Sequence, residues 1–276
     1  MSQKKLTVPQ FRELKEAGTK FTMVTAYDYT FAQMLNESET EMILVGDSLA
    51  NIIMGEGSTL PATMDIMIHH IRSVVKGAPT TFVVGDMPFG TYQTSPEQAV
   101  DSAVRMMKEG GCDCVKLEGG LNMVDRVKAI VNAGIPVMGH IGLTPQSSSA
   151  LGGHGVQGKD SGVADKLLAD AKALDEAGVF SMVLECIPKG VGKRITEEVK
   201  CSTISCGAGP YCDGQNMNMY DLEGMFSDFV PKFVKHYAEL RGEMIAGLNE
   251  YHKETQAGTF PDADHSYNAV VPGYEV

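Results

Sequence analysis

Eight short runs rich in β-branched and other apolar residues recur along the 276-residue chain, and the stretches between them are amphipathic at helical spacing. The runs are FTMVTAYD from Phe21, EMILVGD from Glu41, TTFVVGD from Thr80, CDCVKLEGG from Cys112, IPVMGHIG from Ile135, FSMVLEC from Phe180, CSTISCGAG from Cys201 and the more polar QNMNMYD from Gln215. A strand that is followed by a helix returns to the same end of the sheet, so repetition of the unit builds a parallel sheet with helices on its face. Eight parallel strands suffice to close a barrel, and no G-x-G-x-x-G follows the first strand. The pattern therefore predicts a TIM (β/α)8 barrel rather than an open doubly wound sheet.

The helices carry their own punctuation. In TSPEQAVDSAVRMMKEGG, Ser95 is placed to cap, Pro96 suits the first helical position and Gln98 would complete a capping box; Val100, Ala103 and Met107 share a face before Gly110 ends the helix. NMVDRVKAIVNAG repeats the scheme with Asn122 as cap, Val124, Val127 and Val131 as the buried face and Gly134 as terminator. Residues 163–178 repeat it with Leu167, Ala171 and Leu174. No Pro/Ser linker or shift in composition divides the chain, which predicts one domain over 1–276, with an N-terminal helix at about 8–17 and a C-terminal helical extension at about 225–254. The Gly/Ser-rich SSSALGGHGVQGKDSG at 147–162 follows a strand end and is the candidate for a mobile lid.

Composition narrows the function. With 43% hydrophobic and 21% charged residues the chain is neither disordered nor low-complexity. Its 35 acidic against 23 basic residues give a formal charge of −12, the wrong sign for a general binder of nucleic acid or anionic membranes. The start MSQKKLTVPQFRELKEAG lacks an apolar h-region and no stretch of about 18 apolar residues occurs, so a cytosolic (cytoplasmic) protein with small-molecule partners is expected. Six cysteines are too few for a disulfide scaffold at this length, and the C-x4-C-x5-C of Cys201, Cys206 and Cys212 matches no usual zinc or iron–sulfur spacing. They read as reduced thiols, and the 17 methionines as core filler.

In a barrel the chemistry sits where strands end, and the polar residues at those ends form a coherent set. They are Asp28 on the first strand, Asp47 and Ser48 on the second, Asp86 on the third, Lys116 and Glu118 on the fourth, His140 on the fifth and Glu185 on the sixth. Strand alternation puts Cys114, Lys116 and Glu118 on one face and Val115 and Leu117 on the other, which points Lys116 and Glu118 into the mouth. Three acids from successive strand ends, Asp47, Asp86 and Glu118, would crowd carboxylates at a cost that a cation or a proton offsets, and hard oxygen donors favour Mg²⁺ or Mn²⁺ over Zn²⁺. Each position has a plainer reading: strand-end acids cap helices, Lys116 neutralises Glu118, His140 is a hydrogen-bonded core histidine and Glu185 orders the loop after it. Cys186 and Cys206 have no sequence-adjacent activating base and read as small apolar fillers.

A series of ordered blocks also carries a resemblance: VTAYDY (24–29), VGDSL (45–49), STLPAT (58–63), VVGDMPF (83–89), VKLEGG (115–120), GHIGLTPQS (139–147), GGHGVQGK (152–159), LEC and KRIT (within 184–196), CGAG (206–209) and DGQ (213–215). Over about residues 6–240 the chain resembles the ketopantoate hydroxymethyltransferase family, TIM barrels of the phosphoenolpyruvate mutase/isocitrate lyase type that work in pantothenate synthesis. The resemblance implies transfer of a one-carbon unit from 5,10-methylenetetrahydrofolate, as co-substrate, to C3 of 3-methyl-2-oxobutanoate, giving 2-dehydropantoate through a Mg²⁺-stabilised enolate. It implies Asp47 and Asp86 as metal ligands that also meet the substrate, with Glu118 nearby, directly or through water. Ser48, Lys116 and His140 match substrate-contacting positions, and Glu185 matches the general base. It also implies a homo-oligomer, a decamer in the family.

The chain departs from the family pattern at its last two strands, where ISCGAG stands for an apolar run ending in GIGAG and QNMNMYD for aliphatics followed by MHD. Asn216, Asn218 and Tyr220 thus bring polarity to positions where β-branched residues are usual. Two other classes compete with the transferase. A metal-dependent C–C lyase or aldolase on another 2-oxo acid would use the same site, but the related lyases carry a reactive Cys in a K-x-C-G-H loop where this chain reads GGHGVQGK. A non-catalytic binding paralogue would have no need of Glu185.

Overall fold

The structure, a computed structural model, describes residues 4–274. The elements in chain order are α1 (Val8–Glu16), β1 (Phe21–Thr25), α2 (Tyr29–Glu37), β2 (Met42–Val45), α3 (Leu49–Ile52), α4 (Met64–Gly77), β3 (Phe82–Asp86), α5 (Pro96–Arg105), β4 (Cys114–Glu118), α6 (Val124–Asn132), β5 (Val137–Gly142), α7 (Ser148–Leu151), α8 (Ser161–Ala177), β6 (Ser181–Glu185), α9 (Lys189–Glu198), β7 (Ser202–Cys206), β8 (Gly214–Asn218), α10 (Met219–Leu222) and α11 (Leu240–Ala257). The eight strands are parallel and pair in sequence order, and β8 pairs back with β1 to close the barrel. All eight apolar runs contain a strand. β3, β4, β5 and β6 carry Asp86, Glu118, His140 and Glu185 within the strand, whereas β1 and β2 stop short of their runs' polar ends, because Tyr27, Asp28 and Asp47 leave the ladder to enter caps and turns.

Alternation along the strands divides the core in two. Inward-facing Met23, Met42, Leu44, Phe82, Val84, Cys114, Met138, Val183 and Ile204 fill the lower barrel. Phe11 of α1 closes it from below, fully buried, with ring centroids 5.3 Å from Phe21, 5.1 Å from Phe82 and 6.1 Å from Phe180. Outward-facing Ile43, Val45, Val83, Val115, Leu117, Val137, Met182 and Leu184 pack with Leu35, Ile71, Val74, Ala103, Val127, Ile130, Leu174 and Ile195 of the helices. The apolar floor and walls leave the mouth at the strand C-terminal ends as the place for polar side chains, and the buried acids, lysine and histidine of the predicted set all lie there. Among the described residues no helix is long and apolar enough to cross a membrane.

Several local expectations are corrected. Ser95 caps α5 by accepting from Gln98 N at 3.2 Å, but the Gln98 side chain accepts from Thr94 N at 3.0 Å instead of closing a capping box on Ser95. That helix ends at Arg105 and continues as a wider π turn over Met106–Gly110, where a Cβ at Gly110 would lie 2.8 Å from Ile71. Asn122 does not cap α6; its Oδ1 accepts from Gly120 N at 3.1 Å, and a short 3-10 turn over Leu121–Met123 leads into the helix. The strand–helix rhythm fails at the end of the chain. Residues 207–213 join β7 to β8 with no helix, for they hold Gly207 and Gly209 at φ +78 and +88 with Pro210 next. The C-terminal extension is helical only over Leu240–Ala257, since Gly224 at φ +61 and Pro231 interrupt the earlier part.

Because Phe11 is the one side chain of α1 buried in the barrel floor, Phe11→Ala should lower unfolding free energy by about 3–5 kcal/mol. The midpoint of chemical denaturation checks this, and a loss below about 1 kcal/mol would show that α1 is not a structural plug.

Candidate active site

Every ionisable residue expected at the strand ends, apart from Asp28, converges on the barrel mouth. Register puts Asp86 beside Lys116, Glu118 beside His140, and Gly142 beside Glu185. Asp47 follows β2 through Gly46, and its backbone N–H donates to Asp86 Oδ2 at 3.0 Å. A side chain at position 46 would come within 2.9 Å of Ser48 Oγ and 3.3 Å of Thr25 Cγ2, so glycine allows this close approach. From there a chain of charged contacts crosses the mouth. Lys116 Nζ lies 2.7 Å from Asp86 Oδ1 and 3.3 Å from His140 Nδ1; His140 Nδ1 lies 3.4 Å from Glu118 Oε1, and its Nε2 lies 3.1 Å from Glu185 Oε2. Asp47, Asp86, Lys116, Glu118 and His140 are buried, whereas Glu185 and Ser48 are partly open to the mouth.

The set holds four carboxylates against one lysine and one histidine. Burial, with the Asp86 charge next, drives the Asp47 carboxyl well above the ordinary range. Burial works against the Lys116 ammonium, but Asp86, Glu118 and Asp47 outweigh it and keep Lys116 protonated beyond its usual range. For His140, burial and the Lys116 charge favour the neutral ring, yet its contacts with Glu118 and Glu185 leave it raised to about 9. Formally the mouth has two more negative than positive charges, a deficit that one divalent cation would balance. Buried Asp86 Oδ1, Glu118 Oε1 and His140 Nε2 make no aligned hydrogen bond among the described residues, so their ion-pair contacts leave directional valence unused. Among those residues no group of three or more His, Cys, Asp and Glu side chains is arranged to hold a metal ion, so Asp47, Asp86 and Glu118 do not converge as a closed ligand set.

Glu118 is turned aside by Gln146, a residue that strand-end reasoning missed. Gln146 N donates to Glu118 Oε2 at 3.0 Å, and its Nε2 donates to Asp47 Oδ2 and to the Met87 carbonyl, both at 2.9 Å. Tyr92, equally unforeseen, donates to Gln146 Oε1 at 2.6 Å and accepts from Glu118 N at 3.2 Å. Neither residue ends a strand. Gln146 lies in the quoted GHIGLTPQS block, and Tyr92 had no sequence signal beyond being aromatic. On the opposite wall Tyr27 Oη lies 2.8 Å from Ser48 Oγ and accepts from Asn218 Nδ2 at 2.6 Å. The departures on β8 therefore face the lumen; Asn216 is tied to Thr25 Oγ1 at 3.2 Å.

The plainer readings hold for some residues. Asp28 caps α2, accepting from Phe31 N at 2.9 Å. The Cys186 thiol is pushed up to about 12 by burial and the neighbouring Glu185, and Cys206 is also driven well above the ordinary thiol range, by burial first and Glu185 next, which fits fillers and not nucleophiles. Cys186 is the only non-glycine residue at positive φ among those described, at +46, and its carbonyl accepts from Gln157 N at 2.9 Å. That bond fastens the Gly/Ser-rich segment 147–162 over the loop next to Glu185. The segment holds one helical turn, α7, then runs without regular structure over 152–160 until Ser161 begins α8.

Comparison with known proteins bears on what this mouth belongs to. The sequence profile of the ketopantoate hydroxymethyltransferase family matches residues 5–263. The chain is 53% identical over 264 residues to the 3-methyl-2-oxobutanoate hydroxymethyltransferase of Heliobacterium modesticaldum, covering 96% of each chain. It is 52% identical to the protein of that name from Moorella thermoacetica, covering 95% of this chain and 98% of that one. Among solved structures the fold resembles phosphoenolpyruvate phosphomutase from Streptomyces platensis, with TM-score 0.58 at 13% identity over 95% of this chain and 92% of that one. It also resembles a phosphonopyruvate hydrolase solved with oxalate and Mg²⁺, with TM-score 0.59 at 10% identity over 94% and 93%. The structural likenesses establish the barrel type alone; the sequence matches over nearly the full chain establish that this protein belongs to the ketopantoate hydroxymethyltransferase family.

Proposed function

We propose that the barrel mouth joins a hydroxymethyl group from 5,10-methylenetetrahydrofolate to C3 of 3-methyl-2-oxobutanoate, consuming water and yielding 2-dehydropantoate and tetrahydrofolate for pantothenate biosynthesis. The observation that carries the reading is the burial of Asp47, Asp86, Lys116, Glu118 and His140 around one mouth with Glu185 beside them, in a chain of this family. Asp47 and Asp86 fit Mg²⁺, because Gln146 engages one Asp47 oxygen and the Asp86 oxygen nearest Lys116 has no aligned hydrogen bond. Asp47 and Asp86 would hold such an ion with Glu118 nearby, directly or through water, since Mg²⁺ is commonly bound by one or two carboxylates together with water and substrate oxygens. When bound, the ion supplies Lewis acidity to the keto and carboxylate oxygens of the 2-oxo acid.

The remaining work falls to side chains. Lys116 offsets the acids and, with the Ser48 hydroxyl, binds the carboxylate of the 2-oxo acid. His140 holds the Glu185 carboxylate at 3.1 Å, and Glu185, partly open to the mouth, takes the C3 proton. The electron pair left at C3 forms the new bond to the folate methylene carbon; both of that carbon's bonds to nitrogen break, the water consumed supplies the hydroxyl oxygen, and the two folate nitrogens take up the C3 proton and one proton of that water. The 147–162 segment, tied to Cys186, would cover the site and exclude bulk water during transfer.

A homo-oligomer accompanies this reading, with a decamer as the family's assembly. It is supported by α11, which has no buried residue and presents Met244, Ile245, Leu248 and Tyr251 as exposed apolar side chains. Sedimentation should show a species several times heavier than one chain, and Leu248→Glu should shift it to smaller species; a wild-type monomer would refute the assembly.

Proton NMR of 3-methyl-2-oxobutanoate in D₂O tests the chemistry. With Mg²⁺ the protein should exchange the C3 proton, and added methylenetetrahydrofolate should yield 2-dehydropantoate. Asp47→Ala and Asp86→Ala should abolish metal-dependent exchange. Glu185→Gln should slow it by about 10²–10⁴-fold while substrate still binds, and wild-type exchange in that variant would require another base. Gly142→Ala is expected to cost on the order of a hundredfold in rate, because Gly142 has φ +99 and a Cβ there would collide with the Glu185 carbonyl oxygen, forcing the base to move.

A further inference from the structure

The polar residues that set β8 apart have a use in the geometry. Asn218 closes the barrel beside β1, and both halves of its amide are engaged. Its Oδ1 accepts from Tyr220 N at 3.0 Å as the cap of α10, which fixes the amide so that Nδ2 donates to Tyr27 Oη at 2.6 Å. Tyr27 is fully buried, and its hydroxyl has one other partner among the described residues, Ser48 Oγ at 2.8 Å. An amide N–H can only donate, so the phenol must accept from Asn218. Its own proton then has a single acceptor within reach, Ser48 Oγ. A buried phenol proton left without an acceptor would be costly. Burial also holds Tyr27 in its protonated form, as this direction of bonding requires. With Ser48 Oγ receiving the phenol proton, the serine's own hydrogen is released toward the mouth.

We infer that Asn218 is a positioning residue: through Tyr27 it polarises a one-way chain, Asn218 to Tyr27 to Ser48, that presents the Ser48 hydroxyl as an obligate donor to the carboxylate of the bound 2-oxo acid. This rests on the assignment of Ser48 to substrate binding made above. The carboxylate is unchanged in charge between bound substrate and transition state, so the chain contributes to binding and leaves the chemical step alone. Asparagine at 218 is thereby accounted for where an aliphatic residue would leave Tyr27 Oη free to accept from Ser48 and draw the serine hydrogen away from the mouth.

Asn218→Asp is the discriminating substitution. It is isosteric and keeps the acceptor that caps α10, but replaces the donor facing Tyr27 with an acceptor. The Tyr27 proton then turns to the introduced carboxylate, and Ser48 donates to Tyr27 instead of to substrate. The expected result is a KM for 3-methyl-2-oxobutanoate raised about tenfold, with kcat changed less than about threefold and the thermal midpoint within about 2 °C of wild type. In a Tyr27→Phe background the same substitution should have no further effect on KM, because the relay is already cut. Calorimetric Kd values for oxalate with Mg²⁺ should follow the same order, and they separate this inference from the assigned reaction. If wild type binds oxalate but does not turn over 3-methyl-2-oxobutanoate, the reaction assignment fails, and the variants are still judged on oxalate. An unchanged KM and Kd in Asn218→Asp would overturn the relay. So would an equal loss in the Tyr27→Phe background, or a loss confined to kcat.

Discussion

Putting Lys116 and His140 among four carboxylates is the condition under which this barrel mouth can exist. Removing that many charges from water is costly, and an ammonium placed 2.7 Å from Asp86 recovers only part of it. The rest is met by directed donors. Asp47 N bonds Asp86, Gln146 bonds both Asp47 and Glu118, and Tyr92 holds Gln146 in turn. What stays unbalanced is a formal excess of negative charge and the unused valence of Asp86 Oδ1 and Glu118 Oε1. A site left in that condition has work for a cation to do, and burial, with the neighbouring Asp86 charge next, holds the Asp47 carboxyl above its ordinary range.

The barrel supports this arrangement by segregating polarity along its axis. Large apolar side chains and the Phe11 plug exclude water from the lower lumen, so the charges above sit on a low-dielectric floor where each interaction is strengthened. The helices on the outside keep the strands in register, and register is what aligns Asp86 with Lys116 and Glu118 with His140. Where the outer layer lapses, between β7 and β8 and after α10, the lumen-facing residues turn polar. Asn216 and Asn218 there tie β8 to Thr25 and Tyr27 of the first strand and its loop, so side-chain hydrogen bonds reinforce the seam that closes the barrel. The same seam carries the hydrogen-bond chain from Asn218 through Tyr27 to Ser48, which makes closure of the fold and orientation of a hydroxyl at the mouth one structural feature.

Much of this was legible in the sequence, for reasons that are local. Period-two alternation placed Lys116 and Glu118 on the lumen side, and Ser95 marked a helix start through a hydrogen bond to a residue three positions away. Strand-end positions brought Asp47, Asp86, His140 and Glu185 to one rim because parallel strands in a barrel all point their C-terminal ends the same way. Local reasoning failed where a residue's partner is distant in the chain. Gln146 meets Asp47 from 99 positions away, and Asn218 meets Tyr27 from 191. It also failed where two uses compete for one side chain: Asn122 serves Gly120 N and not α6.

By itself, then, the sequence determined the class of barrel, the identity of its rim and the family of its chemistry, since periodicity, strand order and short motifs are properties of neighbouring residues. Tertiary structure alone decided how the rim is wired. The hold of Gln146 on Glu118, the span of His140 between Glu118 and Glu185, and the direction of hydrogen bonding from Asn218 to Ser48 depend on contacts of about 3 Å among strand ends and the loops beyond them, which only pairing of the strands into the barrel brings together. No one-dimensional pattern encodes them, because a shift of one residue in register would separate strand-end pairs such as Glu118 and His140 while leaving the alternation of the chain intact.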